Sequence, residues 1–391
     1  MEITIHRGTH QIGGCVTEIK SGHNKVFIDF GADLPSTDSI EPAKPIAGLT
    51  VPDNSNSALF FTHYHGDHVG RLREVQVEIP IYMGKTAKLL FENYARRTQN
   101  EILEKIDTIR TFSPLETIHI GNISVTPLMV DHSAFDAYMF VIEVNGKRIL
   151  HTGDFRLHGF RGSKTLPMLR RYAYGVDCVI CESTNLSRNN ELIMTERELQ
   201  TVAHKIMQKN KYVFVLCSST NIDRIGAFYH TNPHGRLFVC DEYQKTQLET
   251  VMDNHKQHSD FYDFSHVYSY APNLDELMEK QGFCLIIRQG EMFAKLLERY
   301  KCKSKVIYSM WSGYLKGETR NEKLAEFLRD YELTFLHTSG HASAQDLSAL
   351  YHTVCPKKGF IPIHGETPEK IQEILPDGKI LILQDGETLS V

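Results

Sequence analysis

The sequence lacks any apolar run of the roughly 18–20 residues that a helix needs to cross a bilayer. Its longest apolar runs are short, such as the one from Tyr138 to Val144. The chain starts with a strand-like segment, MEITIHRG, and not with the basic and then apolar pattern of a secretory signal. We therefore expect a protein that neither spans a membrane nor carries a secretory signal.

Tandem repeats, low-complexity tracts and long linkers are also missing. Hydrophobic residues make up 41% of the chain and charged residues 23%, which is the balance of a globular protein and excludes disorder over most of its length. The 391 residues exceed the roughly 100–200 of one ordinary domain. Two cores, or one core with a large insertion, are therefore expected.

The eight cysteines form no recognisable disulfide framework. They are scattered through apolar segments of a long chain, which favours reduced thiols and a cytoplasmic location. The one C-x-x-C pair, Cys178 and Cys181, lies in a strand-like segment, where residues three apart point to opposite faces. Core packing is therefore favoured over metal binding for this pair.

The formal net charge of −5 excludes a general coat of positive charge for binding nucleic acid and leaves only local basic patches. Within residues 188–334, 20 Lys and Arg residues balance 20 Asp and Glu residues. Candidate patches are Arg96 with Arg97, and the alternating Arg299, Lys301, Lys303 and Lys305. Such charge runs are more often solvated faces than contacts to RNA.

The order of predicted elements indicates an α/β protein. The Asn145-Gly146 dipeptide between two apolar runs predicts a β-hairpin. From about Thr195, which forms a capping box with Glu198, four strand and helix alternations predict a separate parallel sheet. Strand-like segments resume near the end, including a terminal strand pair around residues 379–391. We therefore expect one domain made of residues 1–187 and 335–391, with residues 188–334 inserted.

Twenty histidines are present, and four potential metal ligands follow one predicted buried strand within six residues. They are His63, His65, Asp67 and His68, and we attribute a tight bend between them to Gly66. Imidazole and carboxylate ligands suit zinc. Further candidates, His132, Asp154 and His364, each follow an apolar run at a predicted strand end. A single His or Asp at a strand end is more often a cap or a surface residue. The shared position of these three residues at strand ends is what indicates a metal site.

The H-x-H-x-D-H pattern from His63 to His68 resembles the motif of the metallo-β-lactamase superfamily over residues 1 to about 190 and 335 to 391. The resemblance implies two zinc ions per chain, with manganese as the alternative. It assigns His63, His65 and His132 to one ion, Asp67, His68 and His364 to the other, and Asp154 as a bridge. It also implies that Asp29 supports the ligand loop.

Three further features resemble the β-CASP nucleases, the branch that includes ribonuclease J and the endonuclease of mRNA cleavage and polyadenylation. They are Glu182 after an apolar strand, His341 in the segment TSGHA, and His364 in PIHGE. The branch implies an αββα sandwich with an inserted β-CASP α/β domain. The segment SSTNIDRIG is similar to a nucleotide-facing helix start, which implies substrate binding by Asn221 and Arg224. Asp223 departs from that pattern, which puts 5′-end recognition in doubt.

Two cations about 3.5–4 Å apart can share an attacking hydroxide and stabilise phosphoryl charge. We expect Asp67, His341 and Glu182 to be catalytic, with His341 protonating the leaving oxygen or stabilising phosphoryl charge and Glu182 orienting its imidazole. The loop residues Ser339, Gly340 and Ser343 offer backbone N–H groups and hydroxyls to a phosphate. The alternative for His341 and Glu182 is that they only cap strand ends.

The sequence thus predicts a zinc-dependent ribonuclease acting on single-stranded RNA, as an endonuclease, a 5′–3′ exonuclease or both. One alternative is a small-molecule hydrolase of the same superfamily acting on thioesters or lactones. The other is a non-catalytic RNA-binding β-CASP protein. The sequence leaves RNA against DNA preference open, and a homodimer is a further open alternative.

Overall fold

A computed structural model describes residues 1–34, 43–75, 78–98, 100–188, 193–317 and 319–391. The described strands, in chain order, are β1 (Glu2–Arg7), β2 (Val16–Ser21), β3 (Asn24–Ile28), β4 (Asn56–Phe60), β5 (Ile81–Gly84), β6 (Arg110–Phe112), β7 (Ile118–Ile120), β8 (Ile123–Val130), β9 (Ala137–Val144), β10 (Lys147–His151), β11 (Cys178–Glu182), β12 (Tyr212–Leu216), β13 (Leu237–Cys240), β14 (Val267–Ser269), β15 (Phe283–Ile287), β16 (Ser304–Tyr308), β17 (Leu333–Phe335), β18 (Gly359–Ile363) and β19 (Glu387–Ser390).

The helices among the same residues are α1 (Gly66–Val69), α2 (Lys85–Thr98), α3 (Leu103–Asp107), α4 (Thr165–Tyr172), α5 (Glu196–Lys209), α6 (Ile222–Thr231), α7 (Glu242–His255), α8 (Asp275–Gln281), α9 (Glu291–Arg299), α10 (Glu322–Leu328), α11 (Ala344–Val354) and α12 (Ile371–Ile374). Where the chain is described, no helix is both long and apolar enough to pass through a bilayer. The chain divides into two compact units. The first unit is Met1–Leu157, Arg161–Leu192 and Gly340–Val391, and the second unit is His158–Phe160 and Ile193–Ser339.

Two sheets form the centre of the first unit. One has the order β19-β1-β2-β3-β4-β5-β6 and the other β18-β11-β10-β9-β8-β7. Alternating apolar side chains such as Ile3, Val26, Phe140 and Ile180 fill the shared core between their inner faces. Leu169 of α4 and Leu350 of α11 belong to a second core on the outer face of the second sheet, and α2 contacts β5 and β6 of the first sheet. The layers are therefore helix, sheet, sheet and helix, the predicted αββα sandwich.

The second unit contains one sheet with the order β14-β13-β15-β12-β16-β17. All of its strand pairs are parallel, because each connection is a helix-containing crossover, as the strand and helix alternation predicts. The capping box that opens α5 is present, with Thr195 and Glu198 bonded reciprocally. The inserted α/β fold is therefore confirmed.

Local predictions in the first unit had mixed outcomes. Asn145 and Gly146 have φ values of 50° and 77° and join β9 to β10 as an antiparallel hairpin, as predicted. The terminal strand pair is wrong, because β19 pairs with β1, while Ile380 makes only an isolated bridge to Phe360. The bend attributed to Gly66 is also wrong, because Gly66 opens α1 with an open space at its Cβ position.

Candidate metal centre

The carboxyl ends of several strands in the first unit converge on one cluster of polar side chains. Strands β10, β11 and β18 are parallel neighbours, so residues just after them meet at one edge of the sheet. The residues at these and the other strand ends are Asp29 after β3, His63 after β4, His132 after β8, Asp154 after β10, Glu182 closing β11 and His364 after β18. His65 precedes the short helix α1, which carries Asp67 and His68.

The carboxylate of Asp154 lies at the middle of this cluster. Its Oδ2 is 3.2 Å from Nε2 of His68, 3.8 Å from Nε2 of His63 and 3.9 Å from Nε2 of His132. Its Oδ1 is 3.8 Å from Nδ1 of His364. One carboxylate therefore lies close to imidazoles from four different segments.

Potential ligand atoms fall into four groups of three, each within 4.8 Å of one another. The groups are His63, His65 and His132; His63, Asp67 and His68; His68, Asp154 and His364; and His132, Asp154 and His341. The geometry thus brings together all seven residues predicted as metal ligands. It also brings His341 to the same cluster.

Asp29 fixes the ring orientation of two of these histidines. Its carboxylate accepts hydrogen bonds from Nδ1 of His68 and from the hydroxyl of Thr62, both at 2.8 Å. The Thr62 hydroxyl has one proton, which this bond uses, so the 3.0 Å contact to His63 must be a bond that Nδ1–H of His63 donates. Both imidazoles therefore carry their proton on Nδ1 and present Nε2 to the cluster.

Two more histidines are fixed in the same tautomer. Nδ1 of His132 donates to the backbone oxygen of Gly340 at 2.8 Å. The hydroxyl of Thr184 donates to the backbone oxygen of His364 at 3.0 Å, so it accepts from Nδ1–H of the His364 ring at 2.7 Å. Nε2 of His364 then lies 3.2 Å from Oδ2 of Asp67.

Because Nδ1 carries the proton in these rings, their Nε2 lone pairs point toward one another and toward the carboxylate oxygens of Asp154 inside a buried cluster. Among the described residues, no hydrogen-bond partner satisfies Nε2 of His63, Nε2 of His68 or either carboxylate oxygen of Asp154. His63, His68 and Asp154 are at most 2% exposed, and unpaired buried acceptors are costly. Divalent cations would satisfy all of them, and imidazoles whose other nitrogen donates a hydrogen bond are the usual ligands in metal sites. The residues present therefore fit a metal centre.

The electrostatics of the cluster also favour positive charge at its middle. Burial opposes ionisation of Asp154, but His364 and His68 outweigh it and hold the pKa of Asp154 well below its usual range. Burial likewise opposes protonation of His68, yet Asp154 and Asp29 raise its pKa well above the usual value. Burial and neighbouring imidazoles lower the pKa of His63 well below normal, which keeps it in the neutral form that binds metals.

His341 and Glu182 are adjacent, as expected for an imidazole oriented by a carboxylate. Nδ1 of His341 lies 3.2 Å from Oε2 of Glu182 and 3.5 Å from Asp154. Oε1 of Glu182 accepts from the backbone N–H groups of Phe155 and Ala342 at 3.0 and 3.2 Å. Burial lowers the pKa of His341, but Glu182 and Asp154 outweigh it and raise the pKa above its usual value. The His341 side chain is 18% exposed, whereas that of Asp154 is 1% exposed.

The loop that carries His341 uses most of its own polar groups. Ser343 caps α11 in a capping box with Asp346, and the N–H of Ala342 bonds to Glu182. Gly340 comes so close to Ser133 that a Cβ there would collide with its side chain. Ser339, in the second unit, accepts a bond from His158 through its backbone oxygen at 2.8 Å. Phosphate binding by Ser339, Gly340 and Ser343 stays a prediction, and the Ser343 hydroxyl has a structural partner.

Arg224 is fully buried in the second unit, where its position does not favour the predicted contact with substrate. Its guanidinium donates to Glu196 at 2.7 and 2.9 Å, to the hydroxyl of Ser309 at 2.7 Å and to the backbone oxygen of Thr338 at 3.1 Å. Asn221 is 6% exposed and caps α6 by accepting from the N–H of Arg224. This arrangement supports a structural role for both residues.

The basic patches are neutralised by neighbouring acids. Arg299 pairs with Asp275, Lys301 with Glu298, Lys303 with Glu279 and Lys305 with Glu332, and Arg96 of the other patch pairs with Glu92. These side chains are solvated ion pairs, which contribute little to binding or stability.

Apart from Asp29, sequence reasoning missed the residues that support the ligands. Thr62 directly precedes His63 and Thr184 lies two residues after Glu182, but a single threonine has no distinctive pattern. Gly31 was missed as well, although a Cβ at that position would collide with the backbone oxygen of Asp67. Asp131 precedes His132 and accepts from Nε of the buried Arg156 at 2.7 Å. Adjacency to a predicted ligand was the only signal available, and only Thr62 and Asp131 had it.

Two family models match the chain. A model described as a beta-lactamase superfamily domain matches residues 25–217, which include six of the seven predicted ligands. A model described as a Zn-dependent metallo-hydrolase RNA specificity domain matches residues 332–372, which include His341 and His364.

The chain is similar to several bacterial proteins named ribonuclease J. It is 25% identical to that of Mycoplasma pneumoniae over 97% of this chain and 73% of the relative. It is 24% identical to that of Mycobacterium tuberculosis over 93% and 69%, and 21% identical to that of Helicobacter pylori over 100% and 60%. The chain thus spans 60–73% of the length of these relatives.

A solved structure shares the fold over nearly the whole chain. It is described as a protein of unknown function from Enterococcus faecalis, and it aligns with a TM-score of 0.81 and 20% identity over 99% of both chains. Together with the layers, the His and Asp cluster and the family models, these similarities define a metal-dependent hydrolase of the metallo-β-lactamase superfamily. Within that superfamily, the chain belongs to the β-CASP ribonuclease family.

Proposed function

We propose that this protein is a ribonuclease that hydrolyses RNA phosphodiester bonds with two bound divalent cations, zinc by preference and manganese as the alternative. The observation that carries the proposal is the set of buried Nε2 and carboxylate atoms that face one another without hydrogen-bond partners among the described residues. His63, His65 and His132 would hold one ion. Asp67, His68 and His364 would hold the other, with Asp154 between them.

Bound cations lower the pKa of an attacking water and stabilise charge on the phosphoryl oxygen. Asp67 is one of the less buried ligands, with a side chain that is 16% exposed, so it is accessible to the substrate and its water. Asp154 would contribute to both sites, because its carboxylate lies close to His63 of one proposed ligand set and to His68 of the other. These residues thus fix where the cations act.

His341 supplies the proton for the leaving oxygen or stabilises the phosphoryl charge. Burial opposes its protonation, but Glu182 and Asp154 raise its pKa and so favour the protonated imidazole, and its partial exposure makes it accessible to substrate. Glu182 accepts from Nδ1–H and leaves Nε2–H to face the substrate. Glu182 therefore acts on the reaction through the orientation of His341.

RNA as the substrate is supported by the relatives named ribonuclease J and by the match to an RNA specificity domain. Single-stranded RNA is the form that we propose. A reducing compartment such as the cytoplasm is supported by the eight cysteines, all of which are free thiols within described parts of the chain. A homodimer stays a prediction, and light scattering of the purified protein measures it.

The test is a digestion of labelled single-stranded RNA with a 5′-phosphate, the same RNA with a 5′-triphosphate, and a circular form. We expect metal-dependent cleavage of at least one linear form, and cleavage of the circle would establish endonuclease activity. A blunt duplex of matching sequence and a single-stranded DNA are the substrate controls. A thioester and a lactone are screened in parallel. Hydrolysis of either together with intact RNA would replace the proposal with the small-molecule hydrolase, and inactivity on all substrates would favour the non-catalytic alternative.

A further inference from the structure

Four consecutive residues at the end of β11, Glu182 to Asn185, each bond to a different part of the metal centre. We call this segment the strand-end clamp. Glu182 contacts His341, and the hydroxyl of Ser183 donates to the backbone oxygen of Ile363 at 2.8 Å. Thr184 bonds to His364 and Asn185 to the loop that carries His341. Two of these residues, Thr184 and Asn185, have no part in the chemistry described above.

Thr184 holds His364 at two points. Its hydroxyl accepts from the ring and donates to the backbone oxygen of the same histidine. The φ of His364 is 54°, a left-handed conformation that non-glycine residues adopt only where the surroundings fix it. The N–H of His364 bonds to the backbone oxygen of Gly8 at 2.7 Å on the other side. Thr184 is fully buried, so water cannot replace its hydroxyl.

Asn185 holds the backbone of the His341 loop. Its side-chain amide donates to the carbonyl oxygens of His341 and Ala342 at 3.1 and 3.0 Å. Neither bond reaches the ring of a predicted metal ligand. Thr184 and Asn185 are adjacent in sequence, yet one acts on a ligand and the other on the residue proposed to transfer the proton.

We propose that Thr184 and Asn185 are positioning residues with separate effects: Thr184 sets the metal affinity through His364, and Asn185 sets the rate of proton transfer through His341. The first half of this inference rests on the metal centre of the proposed function, and the second half rests on its ribonuclease chemistry. Removing the Thr184 hydroxyl leaves Nδ1–H of His364 without a partner in a buried site, and the ring can recover a bond only by turning or changing tautomer. Either change moves the Nε2 lone pair away from Asp67.

The first experiment measures zinc affinity by competition with a chromogenic chelator, with no RNA present. Thr184→Val keeps the shape of the side chain. It should lower the affinity for one of the two zinc ions by roughly 10–100-fold, the range for losing a partner that orients a ligand. Thr184→Ser restores the hydroxyl and should bind both ions like the unmutated protein. Thermal unfolding of all three proteins shows whether the variants are folded.

Asn185→Ala is the matched variant from the same segment. It should bind both zinc ions with unchanged affinity, and under single-turnover conditions it should cleave RNA more slowly at unchanged KM. The proposal is overturned if Thr184→Val keeps full zinc affinity, if Thr184→Ser fails to restore it, or if Asn185→Ala weakens zinc as much as Thr184→Val. The zinc measurements decide these outcomes even when the unmutated protein leaves RNA intact, a result that would count against the ribonuclease proposal alone.

Discussion

Each of the two units contains a buried cluster of charged and polar side chains, and the two clusters are built differently. In the second unit, Arg224 and Glu196 are both fully buried, and the guanidinium has acceptors in Glu196, Ser309 and Thr338. In the first unit, Nδ1 of His63 and Nδ1 of His68 are hydrogen-bonded, while Nε2 of both rings and both oxygens of Asp154 have no hydrogen-bond partner among the described residues. In the second unit, protein groups satisfy the buried charges of the cluster. In the first unit, the unpaired acceptors fit a bound cation.

The difference shows that burial of charge does not by itself identify a site. A donor opposite each acceptor makes a structural pair, as at Arg224, and acceptors opposite acceptors make a metal site. His151 sharpens the point because it is buried only three residues before Asp154. Its Nδ1 accepts from the N–H of Gly153 and its Nε2 bonds to Thr17. Because both of its ring nitrogens have protein partners, His151 has a structural role and is not a candidate metal ligand.

The largest effect is expected where a central acceptor is removed. Asp154→Ala should abolish both metal binding and RNA cleavage, because its carboxylate lies close to ligands of both ions. His65→Ala should lose the ion that it shares with His63 and His132. Elemental analysis alongside cleavage assays measures both. Full metal content in Asp154→Ala would contradict the assignment of its carboxylate.

His341→Ala should separate chemistry from metal binding. The cleavage rate should fall by roughly 10²–10⁴-fold, the range for losing a general acid–base group, while metal content stays nearly intact. His364→Ala, in contrast, should lose metal and activity together. Single-turnover cleavage rates and elemental analysis test this prediction. Full activity in His341→Ala would show that the His341 loop has only a structural role.

Glu182→Gln should cleave RNA at a rate between the unmutated protein and His341→Ala, because the carboxylate acts through the imidazole. The double variant should be little slower than His341→Ala alone, since the two residues act as one unit. The same single-turnover assay applies. Additive losses in the double variant would show that Glu182 acts on the reaction independently.

Arg224→Met should affect stability and leave the metal centre unchanged. Breaking a buried pair leaves Glu196 uncompensated, which costs about 3–5 kcal/mol of unfolding free energy. Denaturant unfolding measures the loss, and zinc titration should still give the unmutated stoichiometry. A variant that stays fully stable but no longer binds RNA would restore the substrate-binding role predicted for Arg224.

The smallest effect concerns pH and His151. Burial is the main cause that lowers the pKa of His151 to about 4, below its value of about 6.5 in an unfolded chain. The unfolded chain therefore binds more protons between these values, so stability is full above pH 6.5 and falls as the pH drops toward 4. This group should contribute about 2 kcal/mol of lost stability between pH 7 and pH 5. His151→Asn should flatten that dependence in denaturant unfolding, and an unchanged slope would assign it to other groups.

The sequence predicted what contiguous patterns and strand ends can reveal. The six-residue motif predicted four ligands, and the ends of apolar runs predicted His132, Asp154 and His364, and the structure brings all seven side chains into one cluster. The parallel inserted sheet followed from the order of elements, and the αββα sandwich was implied by the resemblance to the β-CASP branch. All of these signals are local in sequence.

The partners of those residues were beyond prediction because they depend on contacts far apart in sequence. Substrate binding by Arg224 was implied by the resemblance of its segment to a nucleotide-facing helix start, but its acid, Glu196, lies 28 residues earlier and becomes its neighbour only after folding. Thr184 and His364 are 180 residues apart. Hydroxyl and amide side chains have no spacing rule that identifies which buried ring they orient.

The central claim is that the cluster around Asp154 is a centre for two metal ions. The most direct measurement is elemental analysis of the unmutated protein, purified without chelator and offered zinc before unbound metal is removed. We predict two zinc ions per chain, with manganese as the alternative metal. No more than trace metal under these conditions would contradict the claim and the mechanism built on it.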